Sequence, residues 1–270
     1  MNRRLPVLTA ASTPLDRALC GLRRLFMLVL AFAYVALFIL LAGEGLSVAL
    51  DAGDGIVLAG SVAPMPWAAL IHVPIMLGYL GFATVALHPR YRDDTLFRRI
   101  GWLTVIGVGL SCARMAAAFL NMAWLVAPLA LAALLVLGRA LVVLARWPRP
   151  ISMARRMVVN LPIGLHAGWL TVLAPLNILS AFPAGAQALS LGGGFLALVG
   201  LLVLAVAGVR LTRAEPSFVC AILWGLFAIM ARGGVPSLGE PLGLMALLAA
   251  LVIVAFAVWT RTQSRPMHFL

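Results

Sequence analysis

The sequence predicts an all-α integral membrane protein with about eight transmembrane helices, and three observations predict it. The 270-residue chain is 64% hydrophobic and only 10% charged. A bilayer asks each spanning helix for about 20 apolar residues, whereas a soluble core has no use for so much apolar surface. The apolar residues fall into eight runs, roughly 25–49, 66–88, 100–120, 123–146, 157–182, 190–210, 217–231 and 241–260, of which the seventh is short. The twenty basic residues are all arginine, and seventeen of them fall on one side of an alternating eight-span arrangement. Cytoplasmic loops gather basic residues, so both termini are expected in the cytoplasm. That rule accounts for the +12 charge without any nucleic-acid partner.

The first span follows Arg3, Arg4, Arg17, Arg23 and Arg24. Its apolar run from Leu25 is too long for a signal-peptide core, and no small-residue cleavage site follows, so it reads as an anchor. The longest exterior loop, about 51–65, contains Asp51, Gly53, Asp54, Gly55, Gly60 and Pro64. The second span opens at Pro66–Trp67 and presents His72, Met76, Tyr79 and Ala83 on one face. Trp67 is either an interfacial anchor or a residue at the mouth of a site.

The third span carries Gly107, Ser111, Arg114, Ala118 and Asn121 along one stripe. Arg114 lies about 21 Å from that span's cytoplasmic end at 1.5 Å per residue, too deep to snorkel inward. It needs a carboxylate, backbone carbonyls, water or an anionic ligand. Glu44, near the outer end of the first span, is the closest carboxylate by depth. In the fourth span Arg139 is near enough to the cytoplasmic end to snorkel and is assigned no function.

The fifth span holds LPIGLHAGWLTVLAPLN over 161–177. At 100° per residue Pro162, His166, Trp169, Leu173 and Asn177 share an arc of about 80°. Gly164, Gly168, Thr171 and Pro175 lie opposite. The two glycines form a G-x-x-x-G that admits close approach of another helix, either within the chain or across a homodimer seam. His166 and Asn177 are costly against lipid, so they should face protein or a cavity, bonded to other helices or to a ligand. Gly192–Gly193–Gly194 opens the sixth span, and Gly233, Gly234 and Pro236 separate the last two.

Cys20, Cys112 and Cys220 have no metal or disulfide spacing. No G-x-S-x-G, H-E-x-x-H or P-loop is present, no span contains a carboxylate pair, and the absence of lysine excludes a Schiff base. The chain is therefore not expected to be an enzyme or to carry a resident cofactor or metal.

Pro162, Gly168–Trp169, Thr171–Val172 and Asn177, eight residues after the tryptophan, resemble the last core helix of the TspO/MBR family, the tryptophan-rich sensory proteins. Ile100–Gly101–Trp102 after Arg98–Arg99, Pro64–Met65–Pro66–Trp67 and Trp224–Gly225 are similar echoes, and the likeness is closest to the longer bacterial members, where three further helices follow the core. The resemblance implies a cytoplasmic N-terminal segment at 1–22, a five-helix bundle at 23–182 and a three-helix C-terminal extension at 183–270. It implies placement in a bacterial inner membrane. It also implies a pocket beneath the loop joining helices one and two, which binds tetrapyrroles such as protoporphyrin and, in some members, sterols. Carried over by motif, Trp169 and Asn177 line that pocket and Trp67 lies beneath the loop; the reading of the residues adds His72, His166 and Arg114. The expected function is a membrane receptor, sensor or carrier of a hydrophobic or amphipathic planar ligand. A transporter of a small organic anion and a non-catalytic partner subunit, seated or dimerised through Gly164/Gly168, are the alternatives.

Overall fold

The computed structural model describes residues 14–43, 64–91, 94–120, 122–148, 152–180, 191–231 and 241–263. Among them are eight long helices and no strand. In chain order they are α1 (Pro14–Gly43), α2 (His72–Leu87), α3 (Thr95–Phe119), α4 (Ala123–Ala145), α5 (Leu161–Ser180), α6 (Leu191–Leu211), α7 (Pro216–Ala231) and α8 (Pro241–Gln263). Seven helical segments are long and apolar enough to cross a membrane, and the eighth, α7, is apolar but only 16 residues long. α1 begins at Pro14, inside the segment 1–22 that the sequence sets apart. The loop over 51–63 and Glu44 lie outside the described residues.

The helix boundaries follow local chemistry. A 3₁₀ turn, Pro66–Ile71, leads into α2. α2 stops because His88 precedes Pro89, and the residue before proline is pushed out of the helical region; its ψ is 133°. Asp94 caps α3, accepting hydrogen bonds from the backbone N–H groups of Leu96 (2.9 Å) and Phe97 (3.3 Å). Pro216 and Pro241 open α7 and α8, where a missing N–H costs nothing. The entry to α5 is unusual. A single α-turn, Met153–Arg155, passes into a π-turn, Arg156–Asn160, in which the Leu161 N–H bonds back to the Arg156 carbonyl. Pro162 offers no N–H to the carbonyl four residues before it, and the wider turn accommodates that loss.

Packing partners give the architecture. α1 packs on α2 and α3, α3 on α4, α4 on α5, and α5 back on α2, which closes a ring of five. α5 also packs on α6 and α7, and α8 joins those two, closing a second ring. α5 belongs to both. Of its apolar window, 83% is buried inside the protein, against 22% for α1 at the edge.

The G-x-x-x-G face resolves one of the sequence's alternatives. Gly164 faces Ser217 and Phe218 of α7, and a Cβ added at Gly168 would sit 2.7 Å from the Ala221 Cβ. α7 answers with Gly225, where a Cβ would come 2.7 Å from the Val172 side chain. The seam is filled within the chain, which is the first of the two alternatives, and α7 occupies the face that a homodimer through Gly164/Gly168 would need. On the opposite side Gly78 of α2 clears the ring of Pro162, 2.6 Å from where its Cβ would stand. Outside the helices, Arg155 forms an ion pair with Asp94 and lies over the rings of Tyr91 and Phe97, tying the α2–α3 connection to the start of α5.

Candidate functional site

Where α1, α2 and α5 meet, five aromatic or imidazole side chains touch. Tyr34 comes from α1, His72 and Tyr79 from α2, His166 and Trp169 from α5. Two hydrogen bonds tie them in pairs: the Tyr34 hydroxyl to His72 Nδ1 at 2.7 Å, and the Tyr79 hydroxyl to His166 Nδ1 at 2.9 Å. The pairs interlock, since the Tyr34 ring lies 5.3 Å from that of His166 and 6.1 Å edge-on from that of Tyr79. Trp169 stands edge-on to His72 at 6.1 Å. All five residues are buried.

Two polar atoms in this cluster are left over. His166 Nε2 and Trp169 Nε1 are sealed from solvent and have no hydrogen-bond partner. An unmatched buried polar group costs roughly 1–3 kcal/mol, so two on the same face of α5 ask for an explanation. The indole N–H can only donate, and His166 Nε2 donates whenever Nδ1 accepts from Tyr79. Arg114 adds positive charge. It occupies the last two turns of α3, is 1% exposed, and lies close enough for its charge to act on Tyr34, His72 and His166. The site therefore presents donors and a cation to an apolar interior, which suits an acceptor-rich or anionic group.

Neighbouring hydroxyls contribute nothing to that demand. Ser111 bonds the Gly107 carbonyl and Thr171 the Ala167 carbonyl, each within its own helix. Among the described residues no group of three His, Cys, Asp or Glu side chains is placed to hold a metal ion. None of the three cysteines is in a disulfide among the described residues.

Of the six residues singled out from sequence, the structure brings His72, His166, Trp169 and Arg114 into one region. Asn177 is fully buried on the same stripe of α5, about two turns beyond Trp169. Trp67 is not part of the aromatic cluster, and the loop expected above it lies outside the described residues. Its ring packs edge-on against Trp224 at 5.0 Å and against Phe227 at 5.6 Å. The Trp224 indole donates to the Ala68 carbonyl (2.9 Å), and the Met65 N–H donates to the Ala228 carbonyl (3.1 Å). Trp67 thus fastens the entrance of α2 to α7. Sequence reasoning missed Tyr34. The available signal was the run Met27, Ala31, Tyr34, buried at i, i+4 and i+7 on an otherwise lipid-exposed helix.

A family profile described as TSPO-like protein matches residues 24–259. The chain belongs to the TSPO-like family. No curated protein and no solved structure gives a significant match to it. The TSPO-like match continues through α6, α7 and α8, so the second ring is part of what the family shares. TSPO-like membership suggests a membrane sensor or receptor, in a family that is generally non-enzymatic.

Proposed function

We propose that this protein is a membrane receptor or carrier for an amphipathic, planar, tetrapyrrole-like ligand bearing an acidic group. The ligand is held between α1, α2, α3 and α5. One observation carries the reading: buried donors without partners, His166 Nε2 and Trp169 Nε1, lie in the same region as the Arg114 guanidinium. A carboxylate on an otherwise apolar ring system would satisfy them, while Trp169 and His72 offer flat faces to the rings. Family membership supports the same reading. Asn177 extends the polar stripe toward the outer end of α5. In this proposal the arginine-rich connections lie in the cytoplasm, as the charge bias of the loops requires, and the protein resides in a bacterial inner membrane.

The test is a titration of the purified protein in detergent with protoporphyrin IX, followed by tryptophan fluorescence. Quenching should saturate, weaken in Trp169→Phe and persist in Trp67→Phe. Protoporphyrin dimethyl ester, which lacks the acidic groups, should bind about tenfold or more weakly, and Arg114→Gln should narrow that gap. The absence of a saturable response refutes the proposal.

A further inference from the structure

The end of the molecule that carries most of its arginines contains a second concavity, remote from the aromatic cluster. A cleft of about 550 Å³ opens there among α4, the π-turn before α5, the α6–α7 connection and the end of α8. Arg156, Arg213 and Arg261 line it, together with Glu215 and Asn160. Asn160 is 6% exposed; its side chain hydrogen-bonds the Glu215 carboxylate, yet its Oδ1 is buried with no partner. Glu215 feels the charges of Arg156 and Arg261. Among the described residues, however, the ion pair formed is Arg155–Asp94, so neither arginine makes a close ion pair with the Glu215 carboxylate. Three cations against one carboxylate leave the cleft with a surplus of two positive charges.

The backbone supports Arg213 at some expense. Arg213 and Ala214 both have φ of 55°, a left-handed conformation that side chains other than glycine resist. The turn that ends α6 closes with the Ala214 N–H on the Val209 carbonyl at 2.7 Å. Glycine would make the same turn without strain, so an arginine here is held against local preference, as happens at functional positions.

A furrow adjoins the cleft. It measures about 360 Å³ and runs between α4 and α6 from Leu131 to Arg146, with Phe218 in its wall, and Thr212 borders both spaces. Its length is about 22 Å at the helical rise, a good part of a bilayer's hydrocarbon depth. Its lining is apolar apart from Thr171, Thr212, Arg139 and Arg146.

We propose that this paired cleft and furrow is a specific binding site for one anionic glycerophospholipid. The phosphate is seated among Arg156, Arg213 and Arg261, and an acyl chain lies in the furrow. Basic pockets between helix ends on the positively charged side of a membrane protein suit such headgroups, and the surplus of positive charge selects an anionic lipid over a zwitterionic one. The furrow explains why a lipid is favoured over a free anion, because it would otherwise expose apolar wall beside the charged cleft. The site is independent of the tetrapyrrole reading.

The full-length protein in dodecyl maltoside should be titrated with dioleoyl-phosphatidylglycerol, dioleoyl-phosphatidylcholine and glycerol 3-phosphate, reading bound lipid by native mass spectrometry and thermal stability in parallel. Phosphatidylglycerol should bind and raise the melting temperature; the other two should do neither. Arg213→Gly with Arg261→Gln should weaken phosphatidylglycerol binding about 30-fold. Arg213→Gly also relieves the backbone, so its lipid-free melting temperature should not fall, which separates lost binding from lost folding. Ala207→Trp, which fills the furrow, should weaken binding too. Equal response to phosphatidylcholine, full response to glycerol 3-phosphate alone, or undiminished binding in either variant overturns the proposal.

Discussion

The Tyr79–His166 pair gives a sharp test of how the core of the site is held. In Tyr79→Phe the ring stays and the hydroxyl goes, so His166 Nδ1 loses its 2.9 Å bond while Nε2 already has none. Both imidazole nitrogens are then buried unmet at a residue 1% exposed, which should cost about 1–3 kcal/mol. His166→Leu acts differently. It deletes the nitrogen that was unmatched from the start, and strands only the Tyr79 hydroxyl. The double substitution removes every unmatched group of the pair together. It should therefore be less destabilised than the sum of the singles by about 1–2 kcal/mol, and should approach the parent protein in stability. Reversible unfolding of all four proteins in mixed dodecyl sulfate and maltoside micelles gives this cycle directly. The double variant should nevertheless bind protoporphyrin IX more weakly than the parent, since the His166 donor is gone. Additive losses, or a Tyr79→Phe effect below about 0.5 kcal/mol, would refute the bond and the assignment of His166 as a residue kept for binding.

Three further outcomes follow from the same packing. Gly168→Leu drives a side chain into Phe218 and Ala221 of α7 and should cost at least about 1–3 kcal/mol by overpacking, with the oligomeric state by light scattering unchanged because the seam lies within the chain. Asp94→Ala removes both the cap of α3 and the partner of Arg155; calorimetry should show a loss of about 1 kcal/mol from the cap, with a smaller further loss from the partly buried ion pair. Burial raises the Glu215 carboxyl above its ordinary range, opposed by the Asn160 hydrogen bond and by the charges of Arg156 and Arg261. A raised folded-state value means that Glu215 favours the fold at low pH and loses that contribution as pH rises through it. As pH falls through the same window the cleft gains positive character, so phosphatidylglycerol affinity should rise, and Glu215→Gln should flatten the profile.

Much of the fold was legible because lipid imposes a simple rule on sequence. Runs of apolar residues marked the helices, and Gly192–Gly193–Gly194 marked the start of α6. The stripe through His166 and Trp169 was readable from a single helix, since polar groups on an apolar rod must turn inward. Tyr34 was not, because its meaning lies in a partner on another helix, His72, and periodicity within one span carries no record of which neighbour it meets. Trp67 shows the same limit: the sequence placed it at the opening of α2, but carried no record that its ring contacts, Trp224 and Phe227, come from α7. The G-x-x-x-G motif announced a close approach but not the identity of the approaching helix. The basic cleft was invisible beforehand, being assembled from four separate segments and from a left-handed turn at Arg213 that no composition rule anticipates.

The double membership of α5 bears on how the chain is assembled during synthesis. When this helix leaves the translocon its neighbours on one flank are already present, but the glycine seam on the other must wait until α7 has emerged. Until then a nearly two-sided interior rod has one naked flank toward lipid, and the first ring is an incomplete product. Maturation of the half that holds the aromatic cluster thus depends on the last third of the polypeptide, and a lesion near the C-terminus would be felt as a failure of the N-terminal half to settle.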